Sequence, residues 1–98
     1  MHLKPQEIPA IREAARPVSG ARTTVCVLGS RAHDHLSGGE LDLYLEVEPG
    51  EATFANEMVF RDLIERPSDE LEVDVVLYER GTPLAPIHEI ALRDGVVL

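Results

Sequence analysis

Between Glu40 and Glu46 the chain alternates without a break: Leu41, Leu43 and Leu45 occupy one parity, and Glu40, Asp42, Tyr44 and Glu46 the other. Successive strand side chains point to opposite faces. The segment therefore predicts a strand with one apolar and one polar face. Glu40 and Asp42, two residues apart, share the polar face and can converge on one point, as oxygen-seeking cations require. Upstream, the apolar run Val25-Cys26-Val27-Leu28 ends at Gly29-Ser30. There the backbone can approach an anion closely, and a hydroxyl is at hand. A phosphate grip beside metal-seeking carboxylates points to phosphoryl or nucleotidyl transfer.

The flanking segments read as a small α/β or α+β domain. Pro5 to Arg16 predicts a helix, with Ile8, Ile11 and Ala15 at helical spacing and Pro17-Val18-Ser19-Gly20 as its stop. Thr23 to Leu28 predicts a strand buried on both faces. Ser30 to Asp34 predicts a short helix start, and His35 to Gly39 a loop. Ala52 to Glu65 predicts a second long helix with Phe54, Met58, Leu63 and Ile64 as its buried stripe, stopped at Arg66-Pro67-Ser68-Asp69. Leu71 to Tyr78 predicts a third strand: Val73, Val75 and Leu77 share one face and Asp74 takes the other. Pro86 opens a final helix over Ile87 to Arg93, which Gly95 closes, and Val96-Val97-Leu98 predicts a packed tail.

Asp74 is a lone acid in Val73-Asp74-Val75-Val76-Leu77. An acid there is costly unless it is exposed at the sheet end, paired or bound to metal. An outward edge residue and a third metal carboxylate both satisfy that condition. Ser30 reads equally as a helix cap and as a phosphate donor, since a capped helix start is itself an anion site. Arg31 reads as a phosphate contact or as the partner of a nearby carboxylate. His33 and His35 flank Asp34, but no further ligands lie at zinc spacing. Tyr44 and Tyr78 read as packing or rim residues, and His88 as a packing residue or a structural hydrogen bond.

The 98 residues suit a single domain over 1–98, with 44% hydrophobic and 28% charged residues. A core of this size leaves room for stabilisation by a partner or by a homo-oligomer. The single cysteine excludes an intramolecular disulfide framework and reads as a buried thiol. No apolar run approaches a membrane span and no signal pattern opens the chain, so a cytoplasmic protein is expected. The formal net charge of −9, with Lys4 the one lysine, disfavours a nucleic-acid backbone as the main partner.

The segments Gly29-Ser30-Arg31-Ala32, Gly38-Gly39-Glu40-Leu41-Asp42-Leu43-Tyr44, Val73-Asp74-Val75-Val76 and Pro86-Ile87-His88-Glu89-Ile90-Ala91 follow one another across most of the chain. In that order they resemble the nucleotidyltransferase superfamily that includes DNA polymerase β, and most of all its minimal nucleotidyltransferases (MNT), often paired with HEPN proteins in toxin–antitoxin operons. The resemblance implies a small mixed β-sheet with helices packed on one side and the carboxylates at one open end. It implies Glu40, Asp42 and Asp74 as catalytic, metal-binding residues holding Mg2+, two ions in all. It implies Gly29, Ser30 and Arg31 as the nucleotide-binding residues. The expected activity is transfer of a nucleoside monophosphate, AMP from ATP or the equivalent from another NTP, to a hydroxyl. The expected acceptor is a tyrosine of a HEPN-type toxin partner, which makes the chain an antitoxin.

The sequence departs from that pattern in two places. Position 40 is Glu where the family usually has Asp, and octahedral magnesium is strict about ligand reach. The loop His33-Asp34-His35-Leu36-Ser37 carries no lysine or arginine. Both departures keep open a catalytically weak or inactive antitoxin that neutralises a partner by binding alone. A third option, an antibiotic-modifying nucleotidyltransferase, fits less well because those enzymes usually carry an added drug-binding domain.

Overall fold

Alternation decides the layers of this domain. The computed structural model describes residues 6–28, 40–66 and 72–98, with Glu40 placed by its backbone alone. These residues form α1 (Glu7–Ser19), β1 (Val25–Leu28), β2 (Glu40–Val47), α2 (Phe54–Glu65), β3 (Glu72–Glu79), α3 (Pro86–Asp94) and β4 (Val96–Val97). The strands make one mixed sheet in the order β3-β2-β1-β4. β1 runs antiparallel to both β2 and β4, while β2 and β3 are parallel, with α2 in the crossover between them. The expected mixed α+β class is the class observed. The expected helix start over Ser30 to Asp34, the loop from His35 to Gly39 and the stop at Pro67-Ser68-Asp69 lie outside the described residues.

One sheet face is the main core. Leu41, Leu43, Leu45 and Val47 of β2, Val25 and Val27 of β1 and Val73 of β3 are buried under Ile11, Ala15 and Val18 of α1 and Phe60 of α2. α1 begins at Glu7 with Pro9 in its first turn, where an amide hydrogen has no helical acceptor to lose. The stop expected at Pro17 is corrected: the helix runs through it to Ser19. Pro17 keeps a helical φ, and the burial of Val18 and Ser19 offsets its missing N–H. Gly20, at φ 79°, turns the chain out and returns its N–H to the Arg16 carbonyl.

The stripe expected on α2 is also corrected. Phe54, Met58 and Leu63 are exposed, Phe60 is fully buried, and only Ile64 of the expected set packs against the core. Thr53 sets the phase of the helix: its hydroxyl accepts the Asn56 N–H at 3.1 Å, and Asn56 Nδ2 reaches the Glu51 carbonyl and carboxylate at 2.8 Å. From that start Phe60 and Ile64, one turn apart, face the sheet.

The opposite face is smaller. Ala91 of α3 is buried against Cys26 and Tyr44, with Leu28, Val76 and Tyr78 beside them. α3 thus departs from the expected one-sided packing, and it is what buries β1 on both faces. Gly95 allows this close seat, since a Cβ there would meet the Ala91 carbonyl at 2.5 Å and Leu28 Cδ2 at 2.9 Å. The tail after Gly95 pairs with β1 as β4.

Candidate functional site

Parallel register creates the site. Asp42 of β2 is the direct partner of Asp74 of β3, and Glu40 of Glu72. Partners in register share a face, and neighbouring strands lie about 4.8 Å apart. Asp42 is half-buried and Asp74 exposed, and among the described residues neither has a hydrogen-bond or ion-pair partner. Carboxylates this close, on the face away from the leucine core, can reach one divalent cation at about 2.1 Å from each. The last described residue of β1, Leu28, is the register partner of Asp42.

Asp42 and Asp74 are thus brought together. Glu40 stands at the right register and its side chain lies outside the described residues, as do Gly29, Ser30, Arg31, His33 and His35. No cluster of three or more histidine, cysteine or carboxylate side chains suited to a metal occurs among the described residues. Sequence reasoning missed Glu72. It faces the same side as Asp74, two residues before it, and repeats on β3 the spacing of Glu40 and Asp42 on β2. That repeated two-residue spacing was the available signal.

Behind the carboxylates the same face turns aromatic and then polar. Tyr44, fully buried, stacks with Tyr78 at a centroid distance of 6.3 Å, and His88 meets Tyr78 edge-on at 5.1 Å. His88 Nδ1 accepts the Ala85 N–H at 3.0 Å and Nε2 lies 3.1 Å from the Leu77 carbonyl, so the ring is the Nε2–H tautomer. Its role is the structural hydrogen bond expected. The Tyr44 hydroxyl donates to Glu46 Oε2 at 3.0 Å. Burial first, and then the bond to and charge of Glu46, push the Tyr44 phenol above its ordinary range. Burial, reinforced by Glu46, likewise raises the Cys26 thiol.

Arg80 closes the far end. Its Nε donates to Glu46 Oε1 at 3.2 Å, and its Nη1 to Glu48 Oε1 at 2.6 Å and to the Ser19 carbonyl at 2.5 Å. Its Nη2 donates to the Arg22 carbonyl. One guanidinium thus ties α1, the α1–β1 turn, β2 and β3 together.

Among the described residues no helix is long and apolar enough to cross a membrane. Compared with protein-family models, curated proteins and solved structures, the chain matches none.

Proposed function

We propose that this chain is a magnesium-dependent minimal nucleotidyltransferase of the cytoplasm, acting as the antitoxin of a HEPN-type partner. The observation that carries this reading is the register of Asp42 with Asp74. Two carboxylates from separate strands share the sheet face away from the leucine core, and Leu28, the residue before Gly29-Ser30-Arg31 in the sequence, is the register partner of Asp42. Asp42 and Asp74, joined by Glu40, would hold Mg2+, two ions in the full site. Gly29, Ser30 and Arg31 would hold the triphosphate of ATP or another NTP. Magnesium held by these carboxylates would offset charge on the phosphates and on the attacking oxygen. An acceptor hydroxyl oxygen, from a partner tyrosine, bonds to the α-phosphorus. The bond from that phosphorus to the bridging oxygen breaks, and pyrophosphate leaves. The acceptor proton passes to a site carboxylate or to water.

Calorimetric titration of ATP with and without magnesium tests this reading, beside Asp42→Ala and Asp74→Ala. Magnesium-dependent binding lost in both variants is expected. Binding unchanged in both overturns it.

A second reading, neutralisation of a partner by contact alone, draws on the exposed apolar side chains Ile87, Ile90 and Val97 of α3 and β4. Under it, the variant lacking all three site carboxylates still neutralises the partner.

A further inference from the structure

β3 is an edge of the sheet, and its outward backbone groups are partly taken. The Arg80 N–H bonds the Val47 carbonyl at 2.9 Å, so even positions turn their hydrogen-bonding groups toward β2 and odd positions turn theirs outward. The outward set belongs to Val73, Val75, Leu77 and Glu79. Glu65 Oε2, at the end of α2, accepts the Val73 N–H at 2.6 Å. His88 Nε2–H, in the first turn of α3, donates to the Leu77 carbonyl. Thr82 N–H and Oγ1–H donate to the Glu79 carbonyl at 3.3 and 2.7 Å. Among the described residues Val75 has no such guard.

These positions fit a second copy of the same strand. Place β3 antiparallel to its copy with Val75 opposite Val75. Val73 then faces Leu77 of the second copy, Asp74 faces Val76, and Glu72 faces Tyr78. Every carboxylate meets an apolar or aromatic side chain rather than another carboxylate. In this register the Val73 N–H would bond the Leu77 carbonyl of the second copy. Those are the two groups that Glu65 and His88 occupy. Both guards therefore remove the same intermolecular bond, one from each end, and the two-fold repeats the effect.

We infer that β3 is a strand-pairing edge for a second copy of this chain, held closed by Glu65 and His88. The test is sedimentation velocity on the full chain and on Glu65→Ala, His88→Ala and the double variant, at about 0.15 M and 0.5 M salt. The native chain is expected to stay monomeric. Each single variant associates on the order of tenfold more tightly, and the double variant on the order of a hundredfold. Higher salt strengthens the dimer, because each copy carries a formal charge of −9. Adding Val75→Pro to the double variant removes an outward N–H, a substitution an edge strand tolerates, and returns it to monomer. In the dimer the Val75 and Leu77 amides become protected from hydrogen exchange. A folded double variant that remains monomeric overturns the inference. So does a native dimer, or a dimer indifferent to Val75→Pro. If the double variant loses its helix signal, Glu65→Ala alone decides: self-association no tighter than native overturns the inference.

Discussion

Asp42 and Asp74 stand directly opposite one another on neighbouring parallel strands, on the face away from the leucine core. Like charges so placed repel, and no described basic side chain relieves them. Without metal, Asp74→Asn should therefore raise stability by about 0.5 kcal/mol, a few degrees in Tm, and less at high salt. Magnesium should raise the Tm of the native chain and leave that of Asp74→Asn nearly unmoved. Thermal melts with and without millimolar magnesium check both statements.

Two phenylalanines of one helix separate packing from exposure. Phe60→Ala should cost about 3 to 5 kcal/mol, because it empties the centre of the main core. Phe54→Ala should change stability by less than about 0.5 kcal/mol, since Phe54 faces outward. Urea unfolding of the two variants reads the contrast directly.

Much of this fold was legible in the sequence, and the limits are physical. The strict alternation of β2 and the lone acid within Val73 to Leu77 announced the faces of Asp42 and Asp74, whereas the parallel pairing that sets the two side by side was not legible. The α2 stripe was not legible, because Phe54, Met58, Phe60, Leu63 and Ile64 offer more than one apolar face, and the Thr53 cap with its Asn56 partner selects among them. The extension of α1 through Pro17 depends on tertiary burial of Val18 and Ser19, which local patterning does not encode. Arg80 was missed for the same kind of reason: its partners Ser19, Arg22, Glu46 and Glu48 come from distant parts of the chain. Glu40, Ser30 and Arg31 rest on motif and spacing alone.

Arg80→Met should keep the aliphatic stem and lose the clasp. Glu46 and Glu48 then lose the guanidinium, and the Ser19 and Arg22 carbonyls lose a donor. The expected cost is about 2 to 3 kcal/mol. Amide exchange should speed up first around Ser19 to Thr24 and at the end of β2.

Tyr44 predicts an alkaline limit. Its phenol is raised in the folded chain, so the folded state keeps the proton that the unfolded chain releases near pH 10. The stability linked to Tyr44 is thus complete below pH 10 and is lost as pH rises beyond it. Tyr44→Phe should remove that component of the pH dependence, at a cost of about 1 kcal/mol at neutral pH from the lost bond to Glu46. Denaturant midpoints at neutral pH and at stepwise higher pH check the slope. Cys26, buried and raised in the same layer, should resist thiol reagents until the chain unfolds.

The parallel pairing of β2 with β3 has a kinetic consequence. An antiparallel neighbour can be laid down through a tight turn, whereas this one waits until α2 has crossed the sheet and β3 has found its register. A nascent or truncated chain that ends within α2 carries the glycine-serine segment and the first aspartate but no second one to face it. The metal affinity expected of the pair would then appear only at the last stage of folding, and magnesium uptake in a refolding experiment would report completion of the crossover rather than collapse of the core.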